Sequence, residues 1–151
     1  MTINFSRGDM NAPRSFVNDS PRGRSLHILL VDDDELVRAG TAEMLAEAGH
    51  EVIEASSGTE ALEIFEADRG IDLLITDNLM PGMSGSALIA RVRRYAPMLP
   101  ILLVTGYASR SDDIADDVGL LAKPFREAGL REAMRNLMSS RNQGRHEWPN
   151  S

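Results

Sequence analysis

LLITDNLMPGMSG, residues 73–85, reads as a buried strand that is forced to stop. Apolar residues run from Ile71 to Ile75, interrupted only by Asp72, and the stretch then reaches one carboxylate, Asp77. Met80-Pro81-Gly82 follows, and no strand continues through it, because Pro81 has no amide to donate. The pattern places Asp77 at the mouth of a buried strand, pointing out of its carboxyl end. In an open parallel sheet that edge is where ligands and chemistry are found.

The flanking sequence supplies the rest of such a sheet. Upstream, LHILLV (26–31) forms a first strand that runs into Asp32-Asp33-Asp34-Glu35. Val37, Thr41, Met44, Leu45 and Ala48 then recur at helical spacing, and Gly49 closes the helix. EVIEA (51–55) alternates as an edge strand does. Ser57 and Glu60 have capping-box spacing at the start of a helix with Ala61, Leu62 and Phe65 on its inner face.

Downstream of the quoted stretch, a helix runs through Leu88, Ile89 and Val92 to Tyr95. PILLVT (100–105) is apolar without alternation, so both its faces are buried. GLLA (119–122) is a short fifth strand leading into Lys123-Pro124-Phe125. A last helix buries Leu130, Met134, Leu137 and Met138. Strand and helix alternate throughout, which predicts an α/β domain with a parallel sheet between helices.

Composition sets limits on function. The chain has 151 residues, 42% hydrophobic and 26% charged, enough for one domain with a real core. With no cysteine, disulfides and thiolate metal sites are excluded. No apolar run has membrane-spanning length and the N-terminus has no apolar signal core, so a cytoplasmic address and no membrane partner are expected. Residues 1–24 are rich in Ser, Asn, Gly, Pro and Arg and predict a disordered arm. The domain is expected over 25–140, with a polar tail that frays over 141–151. The net charge is -7, and the two basic tails leave about -10 on the body. A body that acidic repels nucleic acid and attracts cations.

Strand ends define a candidate site. Asp32 and Asp33 follow the first strand, Asp77 ends the third, Thr105 ends the fourth and Lys123 follows the fifth. Right-handed crossovers put all of them on one edge of the sheet. Crowded carboxylates call for a cation, and oxygen ligands of this kind suit Mg²⁺, with Mn²⁺ also compatible. A metal, a lysine and a hydroxyl donor around one carboxylate are what phosphoryl transfer to that carboxylate needs.

Four motifs, VDDD, DNLMPGMSG, LLVTG and AKPF, occur in this order between residue 26 and about 138. With them the chain resembles a CheY-like response-regulator receiver domain of bacterial two-component signalling. The resemblance implies a flavodoxin-like, doubly wound five-stranded sheet of order 2-1-3-4-5. It implies Asp77 as phosphoacceptor, Asp32 and Asp33 as the acidic pair for Mg²⁺, and the Leu79 carbonyl as a further ligand. Thr105 becomes the switch hydroxyl and Lys123 the phosphate-binding lysine, followed by a cis bond to Pro124. The phosphodonor would be a phosphohistidine of a sensor kinase or phosphotransfer protein. The chain would then be a single-domain regulator, a monomer or weak homodimer. It would act by docking or as a phosphate sink, and would catalyse no reaction beyond its own phosphorylation and dephosphorylation.

Two departures bear on the switch. The family often carries an aromatic two or three positions before the lysine, where Leu120 and Leu121 stand here, with Tyr107 as the available substitute. The span from Thr105 to Lys123 is short, and SRSDDIADDVG offers only Ile114 and Val118 as an apolar stripe. The fourth helix is therefore expected to be short or irregular, and the 106–119 segment to reorder as Thr105 moves toward the phosphoryl group.

Other readings stay in view. A haloacid-dehalogenase-type phosphatase would use Asp32 as nucleophile and Asp34 as general acid, but leaves Asp77 and MPGMSG unexplained. A docking module that is never phosphorylated would not need all five site residues. Asp34 and Glu35 fit a helix N-terminus better than a metal. Asp112-Asp113 with Asp116-Asp117, and Arg91, Arg93 and Arg94, read as solvated faces. His27, His50 and His146 share no ligand spacing, and Trp148 has no core to enter.

Overall fold

The computed structural model describes residues 24–106 and 114–147, with the backbone alone for 141–147. The N-terminal arm, Tyr107, Asp112, Asp113 and Trp148 lie outside the described residues. The strands are β1 (His27–Val31), β2 (Glu51–Ala55), β3 (Leu73–Asp77), β4 (Ile101–Thr105) and β5 (Gly119–Ala122). The helices among the described residues are α1 (Glu35–Glu47), α2 (Gly58–Ala67), α3 (Gly85–Tyr95) and α4 (Glu127–Glu147). All pairings are parallel, in the order β2-β1-β3-β4-β5. The parallel sheet between helices is what the sequence pattern predicts, and its doubly wound order is the one the resemblance implies.

Two apolar layers follow from strand alternation. Leu29 and Val31 of β1, Leu74 of β3 and Leu103 of β4 face Leu62, Phe65, Leu88 and Val92 of α2 and α3. Ile28, Leu30, Ile75 and Val104 point the other way, onto Ala42 and Leu45 of α1 and Leu130, Met134 and Leu137 of α4. Central strands buried on both sides must be apolar at every position, hence the unbroken runs in the sequence.

The helix starts are chemically specified. Asp34 caps α1, its carboxylate accepting from the amides of Leu36 and Val37 at 3.0 and 3.1 Å. Ser57 caps α2, and Glu60 reaches back to the Ser56 amide at 2.7 Å, one residue earlier than the expected box. Ser84 caps α3 through the Ala87 amide.

Some expectations are corrected. The buried face of α1 is Thr41, Ala42 and Leu45, while Val37 is exposed. Val37 instead borders an open hollow together with Leu36, Gly40 and Phe125. Glu47 is followed by Ala48 and by Gly49 at φ 99°, the glycine stop expected there. At the C-terminus, α4 runs past Arg141 to Glu147 where fraying was expected. Extending a formed helix fixes one residue per added hydrogen bond, and Pro149 is the first residue that forbids it.

Between β4 and β5, residues 114–118 form turns with no helix, and the remainder of the expected irregular helix, 107–113, lies outside the described residues. Ile114 and Val118 are buried against the α2–α3 layer, so the short stripe packs without being helical. Arg93 is not on a solvated face either. It donates to Asp117 at 2.8 Å and to the Pro97 carbonyl, tying this segment to the end of α3.

Candidate functional site

Register fixes the mouth of the sheet. Asp77 pairs with Val104 and Thr105 with Ala122, so Asp77, Thr105 and Lys123 fall at successive ends of β3, β4 and β5. The ladder carries on one residue further: the Asn78 amide donates to the Val104 carbonyl at 3.2 Å, and the Lys123 amide to the Thr105 carbonyl at 2.7 Å. Those bonds hold the backbone that bears each side chain. The Lys123–Pro124 peptide is cis, as expected.

The acidic residues converge. Asp32, Asp33 and Asp77 each place a carboxylate oxygen within 4.8 Å of the others. Asp32 and Asp77 are buried, at 6% and 8% exposure, and Asp33 is exposed. Lys123 Nζ stands 3.3 Å from Asp32 Oδ2 and 3.4 Å from Asp77 Oδ1. Burial raises the Asp77 carboxyl above the ordinary range, Lys123 opposes this and Asp32 reinforces it, with a net rise. Burial alone would lower the Lys123 ammonium, but Asp32 and Asp77 together outweigh it and hold it above its usual value. The centre thus carries more negative charge than its one lysine contact neutralises. Three hard oxygen donors with surplus negative charge fit Mg²⁺. Leu79 follows two residues after Asp77, with its side chain exposed.

Several residues that shape the site have no periodic signal in the sequence. Gly85 opens α3 so close to β3 that an added Cβ would collide with the Asp77 carbonyl and stand 2.9 Å from Asn78 Cα. Asn78 Oδ1 accepts from the amide and hydroxyl of Ser86 at 3.0 and 2.9 Å, locking the turn after Asp77 onto the helix. Arg38 reaches from α1 to the Asp32 carbonyl at 2.7 Å. Beside the site an open hollow of about 720 Å³ is bordered by Leu36, Val37, Gly40, Gly106, Lys123 and Phe125.

The remaining candidates lie elsewhere. His27 and His50 sit at the opposite edge of the sheet, where His27 Nε2 is 2.8 Å from Asp68 and His50 Nδ1 accepts from the Leu26 amide. Asp34 spends its carboxylate on the α1 cap, which takes the general acid away from the phosphatase alternative. No described helix is long and apolar enough to cross a membrane.

Comparison with known proteins places the chain in a family. Residues 28–135 match the family model of the response regulator receiver domain. The chain is 35% identical over 119 residues to sensor kinase CckA of Brucella abortus, covering 76% of this chain and 13% of the kinase. It is 38% identical over 118 residues to response regulator MprA of Mycobacterium ulcerans, covering 76% of this chain and half of that protein. The crystal structure of a response regulator receiver protein from Sinorhizobium medicae superimposes with a TM-score of 0.72 at 29% identity, over 78% of this chain and 97% of that one. The chain therefore spans half or less of these curated relatives. On the match over 28–135, this chain belongs to the response regulator receiver family of two-component signalling.

Proposed function

We propose that the chain accepts a phosphoryl group on Asp77 from a phosphohistidine of a sensor kinase or phosphotransfer protein. The observation that carries this is the buried Asp77 carboxylate, 3.4 Å from the Lys123 ammonium and grouped with Asp32 and Asp33 at the carboxyl edge of the sheet. An Asp77 oxygen attacks the phosphorus in line. The new O–P bond forms as the P–N bond to the donor imidazole breaks; the imidazole, protonated on its other ring nitrogen, keeps the electron pair and leaves as neutral histidine. Lys123, within reach of Asp77 and Asp32, pairs with a phosphoryl oxygen and offsets the charge that arrives. Thr105, at the neighbouring strand end, donates its hydroxyl to another. Asp32, Asp33, Asp77 and the Leu79 carbonyl are the residues to hold Mg²⁺, which when bound supplies positive charge against the phosphoryl oxygens.

Incubation with acetyl phosphate and Mg²⁺, followed by intact mass, tests the reading. One added phosphoryl group is expected, absent in Asp77→Asn and absent in EDTA. Asp32→Asn should weaken metal binding and slow the reaction. Phosphate release without a mass gain, abolished by Asp32→Asn and kept in Asp77→Asn, would replace this reading with the phosphatase one.

A further inference from the structure

We infer that Arg38 is a positioning residue for the acidic trio, clamping the peptide that joins Asp32 to Asp33. The inference rests on the reading of that trio as a Mg²⁺ site. Arg38 lies in the first turn of α1, yet its side chain is only 14% exposed, because it turns back under the β1–α1 junction. One branch, Nη1, donates to the Asp32 carbonyl at 2.7 Å. Nε donates to Glu54 Oε1 of β2 at 2.9 Å. The planar fork thus joins the site peptide to the neighbouring strand, and a shorter or single-pointed cation cannot make both contacts at once.

The rest of Asp32 is held as well. Its amide donates to the Ala55 carbonyl at 3.2 Å, and its Oδ1 accepts from the Asp34 amide at 2.9 Å. Its Oδ2 faces Lys123. Asp33 differs: it is the exposed member of the trio, and its direction is set by the peptide plane on its N-terminal side. Arg38 fixes that plane by holding its carbonyl. Removing the fork lets the Asp32–Asp33 peptide rotate, and the Asp33 carboxylate leaves the cluster first.

Two effects of Arg38 on a bound cation have opposite signs, and this makes the role testable. As a positive charge near the site, Arg38 opposes Mg²⁺, so its removal tightens binding if charge is all it contributes. As a clamp it organises a ligand, so its removal weakens binding. Groups that orient a ligand are worth about 10–100-fold in metal affinity. We expect the clamp to win, with Arg38→Met binding Mg²⁺ roughly tenfold more weakly. Arg38→Met keeps the stem packing.

The experiment is calorimetric titration of the full chain with MgCl2, for wild type, Arg38→Met and Arg38→Lys. It is paired with amide exchange at Asp33 and Asp34 and with melting temperatures in EDTA. Weaker Mg²⁺ binding and faster Asp33 exchange in Arg38→Met, beyond what its melting temperature accounts for, support the clamp. Equal or tighter binding overturns it. If Arg38→Met does not fold, Arg38→Lys decides, since it preserves the charge: weaker binding supports the fork and wild-type binding refutes it. A wild type with no saturable Mg²⁺ heat refutes the metal reading of the trio instead, and Asp33 exchange in the variants then judges the clamp separately.

Discussion

Lys123 Nζ stands 3.4 Å from Asp77 Oδ1 while also facing Asp32 Oδ2 at 3.3 Å, so one ammonium serves two buried carboxylates from different strands. The share that reaches Asp77 does not compensate its burial, and its carboxyl is held above the ordinary range. A group whose pKa is higher in the folded state contributes stability that is fully present below the unfolded value of 3.8 and is lost as pH rises through the folded one. At neutral pH the ionised Asp77 is therefore a cost to the fold. Asp77→Asn should melt at a higher temperature than wild type in EDTA at pH 7. The gain should shrink toward pH 3.8 and also when Mg²⁺ stabilises wild type. An Asn variant less stable than wild type in EDTA at pH 7 would show that the carboxylate is already compensated.

Taking away the ammonium should do the reverse. Lys123→Met leaves Asp32 and Asp77 facing one another, and losing a hydrogen bond to a charged group costs about 1.5–3 kcal/mol. The expected signature is a lower melting temperature in EDTA and a larger Mg²⁺-induced rise than wild type shows, because the cation then replaces the missing charge. A Lys123→Met protein whose Mg²⁺ response matches wild type would mean that lysine and cation do not share a field.

The parts of this site that sequence makes legible are those that end strands. Asp77, Thr105 and Lys123 follow apolar runs whose termination is visible in Pro81, Gly106 and Pro124, and parallel register brings such ends together. Arg38 is not legible in this way. Its contacts join residues that periodicity treats as unrelated, a helix turn with Glu54 sixteen positions on, and they exist only once β1 and β2 pair. Val37 misleads because a helical stripe does not say which of its positions borders an open hollow. Arg93 misleads because a basic run looks solvated until Asp117 is packed against it. The Asp34 cap is readable, since an acidic residue before an apolar periodicity has a local task.

Gly85 ties helix placement to the position of Asp77. A methyl at Gly85 would overlap the Asp77 carbonyl and crowd Asn78, and both contacts are backbone, which has little room to give. Gly85→Ala should cost about 1–3 kcal/mol, the range for overpacking a tight site. Because the clash bears on the Asp77–Asn78 peptide, the acetyl phosphate reaction should slow more than the stability loss explains at a temperature where the variant remains folded. Gly82→Ala is the comparison: it has a positive φ of 78° with open space around it, so it should destabilise without this excess effect on the reaction. Equal kinetic effects from the two substitutions would remove the link between α3 and Asp77.

The bond between Arg93 and Asp117 bears on the segment that follows Thr105. Arg93 holds Asp117 and the Pro97 carbonyl together, and its Nε is buried without a hydrogen-bond partner among the described residues. Such a group is retained at some cost, which makes the anchoring of 114–118 the effect to test. Asp117 is half exposed, so the ion pair itself is worth only about 0.2–1 kcal/mol. Ile114 and Val118 add to the hold by burial. Arg93→Ala should therefore lower global stability modestly yet raise amide exchange sharply over 114–120. Asp117→Asn should reproduce most of the exchange effect, and the double variant should add little to either single one. Full additivity would mean that the two residues act separately and that their ion pair does not anchor the segment.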